Sequence, residues 1–317
     1  MASVDQNRLL VKVARLYYEE YLTQQEIGNR LRLSRQKVQR LLSQARNDSI
    51  VRIIIEPIMG VHNDLEKALE ERYGLREAVI VETNAYEDQS VVAREIGVGA
   101  AEYLLRVIRP NDKVVISWGG TIQGMVDALS RYHMREMEGV TVIQGLGTMV
   151  DPGRDTHSTD LTRRLARILG GQSKLLPAPG VAGSKEARDA FCEDPHVAEV
   201  LDSARRADLV FMGIGSPRPD SLLVREGSIV TWKELELLIS RGAVGDINLR
   251  YFDQNGNSIS SELDDRVVGL TIDEIKGIPH VVGVAGGSAK LQAIRGALKG
   301  RMIHVLITDH MTAAKLL

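Results

Sequence analysis

Cysteine is almost absent: Cys192 stands alone in 317 residues, which excludes an internal disulfide and a cysteine-rich zinc site. No apolar run approaches the ~18 residues of a membrane span. The opening Met1 to Asn7 lacks the basic and apolar regions of a secretory leader, so the cytoplasm is the expected location and no membrane partner is expected. Chemical signatures are missing too. There is no G-x-x-x-x-G-K-[ST] phosphate loop, no G-x-G-x-x-G followed by a helix and a suitably placed acid, no H-E-x-x-H and no G-x-S-x-G elbow. The seven histidines are scattered and form no closely spaced metal set with Cys or Asp. No catalytic residue, cofactor or metal is therefore expected. His133, His196, His280 and His304 read as surface or structural, whereas His157 and His310 stand where helices begin. Tandem repeats and low-complexity tracts are also lacking. What is present, 44% hydrophobic and 26% charged residues with 29 Gly and 9 Pro, is the composition of a folded globular chain, and the length favours two domains.

The net charge of −2 conceals an asymmetry. Residues 1 to 60 hold ten Lys and Arg against six Asp and Glu, a balance of +4 that leaves −6 for the remainder. Between Arg30 and Arg46 there are six basic residues and no acidic one. Such a run suits the phosphate backbone of DNA, and by itself it equally describes a solvated helix face. The pattern around it is more specific. Leu9, Leu10, Val13, Ala14, Leu16 and Tyr17 recur at helical spacing over about 6 to 20. Thr23 with Glu26 is a capping box for a second helix carrying Ile27 and Leu31. Leu31-Arg32-Leu33 makes a short connection, and Ser34 caps a third helix to about Ala45.

On that third helix Val38, Leu41, Leu42 and Ala45 share one 100° arc and face the core, which turns Gln36, Arg40 and Ser43 outward with Arg35, Lys37 and Gln39 on the flanks. Arg and Gln read guanine and adenine edges, while Ser34, Arg35 and Lys37 at the helix start suit phosphates. Thr23 and Gln24, opening the second helix, complete the candidate DNA contacts. The spacing predicts a helix-turn-helix whose second helix enters the major groove of double-stranded DNA. The alternative is a three-helix cap covering a larger domain. Ile50 to Ile55 reads as a short wing strand, and Glu56-Pro57-Ile58-Met59-Gly60 breaks it, so domains of 1–56 and 57–317 are expected. Asn63 caps a further helix through about Tyr73, with Leu65 and Leu69 on its apolar edge.

Beyond Gly74 short β-branched runs alternate with helical stretches. Strands are expected at 78–81, 114–117, 140–143, 209–212, 281–284 and 303–307. Helices are expected at about 90–108, 121–130, 157–169, 185–205, 232–240, 288–299 and 309–317. This alternation predicts an α/β, Rossmann-like, mostly parallel sheet with helices on both faces. Ligands of such sheets sit outside the carboxyl ends of the strands. Four glycine-rich loops fall there: Gly119-Gly120-Thr121, Gly145-Leu146-Gly147-Thr148, Gly213-Ile214-Gly215-Ser216 and Gly286-Gly287-Ser288. They predict one shared pocket, with Thr121 opening a helix whose N–H groups favour an anion. Tight helix-strand packing is the competing explanation of a Gly-Gly turn.

Leu22-Thr23-Gln24-Gln25-Glu26-Ile27 and Leu33 to Leu42, followed by Ser117-Trp118-Gly119-Gly120-Thr121, Met212-Gly213-Ile214-Gly215, Gly245 to Asp253, Val284 to Lys290 and Leu306-Ile307-Thr308-Asp309, resemble the SorC family of bacterial sugar-responsive transcription regulators. The likeness spans nearly the whole chain. It implies an effector domain similar in fold to sugar-phosphate isomerases and glucosamine-phosphate deaminases. It also implies that Gly119, Gly120 and Thr121 hold an anionic or hydroxyl-rich end, with Asp246 and Lys290 reaching the rest of a sugar, polyol or sugar phosphate. Gly147, Gly215 and His157 complete the candidate effector set. Lys290 alone also reads as the solvated first turn of a helix. Ile122 stands where some members carry a second hydroxyl residue, which weakens the expectation of a phosphate.

The function so implied is a regulator, most simply a repressor, of a carbohydrate or polyol operon, working as a homodimer or homotetramer on operator half-sites. The rival is a sugar-phosphate isomerase or deaminase with an appended helical module, in which Asp246 would act as base.

Overall fold

A computed structural model of the chain describes residues 2–51, 62–83, 86–132, 137–148, 158–218 and 230–317, with side chains from residue 7. The chain divides into two compact units, Met1–Ile58 and Met59–Leu317.

Among its described residues the first unit is three helices, α1 (Ala2–Tyr18), α2 (Gln24–Leu31) and α3 (Arg35–Asn47). Both ends of the turn are chemically specified. Thr23 accepts from the Glu26 N–H while the Glu26 carboxylate accepts from the Thr23 N–H, the reciprocal cap that the sequence predicts. Ser34 Oγ accepts from the Lys37 N–H and starts α3. Between them Arg32 takes the left-handed conformation at φ 55°, and the Leu33 N–H reaches back to the Gly28 carbonyl at 2.8 Å. Leu10, Val13, Ile27, Val38, Leu41, Leu42 and Ala45 are buried in one core. The wing expectation falls mostly on residues 52–61, outside the described residues; Ile50 and Val51 are described and donate to the Ala45 carbonyl.

The second unit begins with α4 (Asn63–Tyr73). Asn63 is its first residue rather than its cap; the cap position belongs to His62, which makes no capping hydrogen bond. Then follow β1 (Glu77–Val81), α5 (Gln89–Val107), β2 (Lys113–Ile116), α6 (Gly120–Leu129), β3 (Thr141–Gln144), α7 (Ser158–Ile168) and β4 (Gln172–Lys174). Next come α8 (Lys185–Glu193), α9 (Pro195–Arg205), β5 (Leu209–Gly213), α10 (Trp232–Ser240), β6 (Gly245–Ile247), β7 (Arg250–Phe252) and α11 (Ile272–Lys276). The unit ends with β8 (Val281–Val284), α12 (Leu291–Lys299), β9 (Val305–Asp309) and α13 (His310–Leu316).

Seven strands form one parallel sheet in the order β1-β9-β8-β5-β2-β3-β4. The chain winds from β2 outward through β3 to β4, then returns to the other side of β2 and winds through β5, β8 and β9. β2 and β5 are adjacent parallel strands, so the order reverses between them. Two apolar layers cover the sheet, one built on Val115, Ile143, Val210 and Met212 and the other on Val114, Ile116, Phe211 and Val282. Alternate residues of one strand thus face opposite layers, as a sheet covered on both faces requires. β1, an edge strand, alternates instead of being buried throughout.

Three details depart from the sequence reading. The expected helix over 185–205 is two helices, because Pro195 cannot donate and Asp194 ends α8 while its carboxylate accepts from the His196 and Val197 N–H groups at the start of α9. A single 3-10 turn, Ser288–Lys290, precedes α12. The segment from Gly245 is an antiparallel hairpin, β6-β7. Its two turn residues, Asn248 and Leu249, stand at φ 57° and 62°, the geometry of a tight two-residue hairpin loop.

Candidate functional site: a DNA-reading helix and an effector receptor

In the first unit α3 presents Arg35, Gln36, Lys37, Gln39 and Arg40 to solvent, with Ser43 partly exposed. Arg35, Lys37, Arg40 and Arg46 make no ion pair among the described residues, whereas Arg15 and Arg30 on the other helices pair with Glu19 and Glu20. An open groove of about 610 Å³ runs beside Gln36, Gln39, Arg40 and Ser43. Charge and amide groups therefore project from one helix face, and the carboxylate that lines the same groove, Asp48, accepts from the Gln44 amide and pairs with none of these cations among the described residues. Gln24 is partly exposed at the start of α2. Thr23 is different: its N–H and its hydroxyl both donate to Glu26, and its oxygen accepts from the Glu26 N–H. Those bonds commit it to the cap, so its donors are not free for DNA. The Ser34 oxygen also caps, but its hydroxyl proton is uncommitted among the described residues.

In the second unit several of the effector candidates meet near the point where the strand order reverses. Ser117-Trp118-Gly119 leads from β2 into α6. Gly119 sits at φ 111°, which an L side chain would strain. As the N-cap it supplies no side chain, so the first turn of α6 has no side-chain cap. Thr121 is buried, and its hydroxyl donates to the Val284 carbonyl at 3.0 Å. It braces the loop against β8, which commits its hydroxyl proton. After β5, Gly215 exchanges two backbone hydrogen bonds with Asp246, at 2.9 and 3.2 Å. The hairpin is thereby laid over the end of the sheet.

Asp246 is 7% exposed, and its Oδ2 accepts from the Leu249 N–H at 3.2 Å. Burial pushes its carboxyl up to about 6, against the pull of that hydrogen bond and of the nearby Lys290 charge. Burial likewise lowers the Lys290 amine, opposed by Asp246. Lys290 keeps some surface. The two groups sense each other without forming an ion pair at 4.0 Å or closer among the described residues.

The four-loop pocket needs correction. Gly147 is buried, its N–H donates to the Val268 carbonyl, and a Cβ there would fall 2.4 Å from the Pro179 carbonyl oxygen. It is glycine so that two loops can pack. Gly287 donates to Asp309 Oδ2 at 2.8 Å and to Thr312 Oγ1 at 2.9 Å, so the loop after β8 contributes Lys290 rather than its glycines. The candidates that the structure brings together lie on the loops after β2 and β5, on the β6-β7 hairpin and at Lys290. His157 lies outside the described residues. The hairpin's own side chains escaped the sequence reading, which took Asp246 from it and nothing else.

His310, singled out as a helix opener, belongs to the one group of described side chains whose possible metal ligands lie close together: His62, Glu82 and His310, within 4.8 Å. His62 Nε2 and Glu82 Oε2 are 2.6 Å apart. His310 Nδ1 accepts from the Thr83 N–H at 3.3 Å, which leaves the ring proton of the neutral imidazole on Nε2, the nitrogen 3.8 Å from Glu82. Two imidazoles thus flank one carboxylate, with the His62 and His310 rings stacked at 5.4 Å between centroids. No helix among the described residues is long and apolar enough to cross a membrane.

Residues 59–317 match the family described as "Putative sugar-binding domain", and residues 12–48 match sigma-70 region 4. The deoxyribonucleoside regulator of Bacillus subtilis is 31% identical over 98% of this chain and 98% of its own length. The sorbitol operon regulator of Klebsiella pneumoniae is 29% identical over the whole of both chains. The crystal structure of that full-length regulator, SorC, aligns with a TM-score of 0.72 at 27% identity, covering 98% of each chain. A helix-turn-helix reader followed by a sugar-binding α/β domain is common to all of these observations, and the relatives are transcription regulators, not enzymes, which sets aside the isomerase or deaminase reading. The chain belongs to the SorC-type family of sugar-responsive transcriptional regulators.

Proposed function

We propose that the protein controls a carbohydrate or polyol catabolic or transport operon in the cytoplasm. As a homodimer or homotetramer it holds operator DNA, and it lets go when a sugar, polyol or sugar phosphate fills the receptor of the second unit. Gln36, Gln39, Arg40 and Ser43 read base edges, and Ser34, Arg35 and Lys37 contact phosphates, with Gln24 beside them. Gly119, Gly120 and the Thr121 N–H receive the phosphate or a hydroxyl-rich end, and Asp246 and Lys290 grip the other. The observation that carries this reading is the buried Asp246 carboxylate, which senses the partly exposed Lys290 ammonium without reaching ion-pair contact. Buried charges call for partners, and a polyhydroxylated ligand supplies donors to the carboxylate and acceptors to the ammonium. A coupling of about 1 to 3 kcal/mol between effector and DNA is enough for roughly 5- to 150-fold control.

The test uses the full chain and an operator selected from a random duplex pool. Sugars, polyols and their phosphates are screened for thermal stabilisation, and those that bind are added to gel-shift titrations. Asp246→Ala and Lys290→Ala each abolish the effector response while the chain still shifts the operator. A response that persists in both places the receptor elsewhere.

A further inference from the structure

Tyr251 is 2% exposed, and its hydroxyl has no hydrogen-bond partner among the described residues. A buried hydroxyl left unpaired costs about 1 to 3 kcal/mol, so its placement needs a reason. Within the hairpin Tyr251 is directly opposite Asp246, and directly opposed residues of an antiparallel pair project from the same face. The ring belongs to an apolar cluster with Leu146, Leu235, Leu249 and Val267, against which Trp118, the residue before the Gly119-Gly120 turn, also packs. The Tyr251 ring therefore shares its cluster with the residue that leads into α6, on the hairpin face that also carries Asp246. Burial, with the Asp246 and Glu234 charges, raises its pKa well above the usual value. It stays protonated and can act as a donor.

A carboxylate and a phenol on one face define what can sit between them. A phosphate or carboxylate would add a second negative charge beside Asp246, and a carbonyl oxygen has no proton to give the carboxylate. An alcohol satisfies both, accepting from the phenol through its lone pair and donating its own proton to the carboxylate.

Resting on the effector-site reading above, we propose that Tyr251 is a specificity-determining residue of the receptor: its hydroxyl donates to a hydroxyl of the bound sugar or polyol whose proton goes to Asp246. The site then selects a carbon bearing a free hydroxyl at this point and rejects the deoxy analogue, because the analogue leaves two buried groups unpaired.

Tyr251→Phe removes only an oxygen that is already unpaired, so the ligand-free variant keeps the wild-type melting temperature or exceeds it slightly. The probes are sorbitol, sorbitol 6-phosphate, ribose 5-phosphate and 2-deoxyribose 5-phosphate, titrated against the full wild-type and variant chains by calorimetry. The hydroxylated probe that binds wild type most tightly is expected to lose about ten-fold or more in affinity in Tyr251→Phe. Where both ribose phosphates bind, wild type favours ribose 5-phosphate and the variant loses that preference. Unchanged affinity of the variant overturns the role of Tyr251 while leaving the receptor standing, as does a wild-type preference for the deoxy sugar. Failure of all four probes to bind wild type removes the effector reading for this ligand class, and this inference with it.

Discussion

Gly215 and Asp246 meet so closely that a Cβ on residue 215 would lie 2.0 Å from Asp246 Oδ1. The glycine is thus the floor on which the carboxylate rests. Gly215→Ala has to push the buried carboxylate aside or part the two loops, at about 1 to 3 kcal/mol of stability. Effector affinity is expected to fall by about ten-fold or more, since a misplaced carboxylate forfeits a charge-assisted hydrogen bond. Calorimetric titration of the variant checks this; wild-type affinity would show that Asp246 lies outside the receptor.

The raised pKa of Asp246 makes a second, signed prediction. An aspartate of ordinary pKa 3.8 in the unfolded chain and about 6 in the fold binds its proton more tightly when folded. Its contribution to stability is therefore greatest below about pH 4, falls as pH rises through the window from 4 to 6, and is fully lost above it. The loss is up to about 3 kcal/mol at neutral pH. Asp246→Asn avoids it, so the ligand-free variant is expected to melt above wild type at pH 7.5, with the difference shrinking toward pH 4. Thermal melts of both proteins across that range provide the check, and a variant less stable than wild type at pH 7.5 contradicts the buried-charge argument.

On the DNA side Arg40 and Lys37 are predicted to behave differently. Arg40→Ala should weaken operator binding by about 1 to 3 kcal/mol and relax base preference, because a base-reading contact is lost. Lys37→Ala should weaken binding to all sequences alike and flatten the salt dependence by about 0.9 in the log–log slope, the effect of one phosphate contact. Gel-shift titrations at several salt concentrations with matched and mutated operators separate the two, and an unchanged Arg40→Ala would unseat α3 as the reading helix.

Gly28 tests the turn itself. A Cβ at this position would approach the Leu33 carbonyl oxygen to 2.7 Å. Alanine normally favours a helix interior by about 1 kcal/mol over glycine, but here the obstacle is backbone and cannot swing away. Gly28→Ala is expected to destabilise the helix-turn-helix and reduce operator binding, read by gel shift with effector binding as the control. A stabilised variant with full operator affinity would mean that the turn adjusts at no cost.

The helix-turn-helix was legible because its instructions are local. The Thr23 and Ser34 caps and the arc of Val38, Leu41, Leu42 and Ala45 each lie within a few residues of what they control. The central strands β2, β5 and β8 were legible for a different reason: burial on both faces demands short, nearly continuous apolar runs. β4 escaped because it is an exposed three-residue edge of Gln172, Ser173 and Lys174. The β6-β7 hairpin escaped because its strands have three residues each and its turn uses Asn248-Leu249 instead of a glycine. In the receptor, a count of glycines could not separate Gly215, which floors the site, from Gly147, which packs on Pro179. That distinction depends on a partner 32 positions away along the chain, as the alignment of Tyr251 with Asp246 depends on hairpin register.

The reversal of strand order between β2 and β5 has a consequence for how this receptor comes into being. Its walls are drawn from the middle and the far end of the polypeptide, so no early fragment of the nascent chain possesses them. On the proposed function, sugar capture is a property only of the finished domain, and an occupied receptor fastens together stretches far apart along the chain. Metabolite supply would then set how long each molecule survives heat or proteolysis as well as whether it sits on its operator.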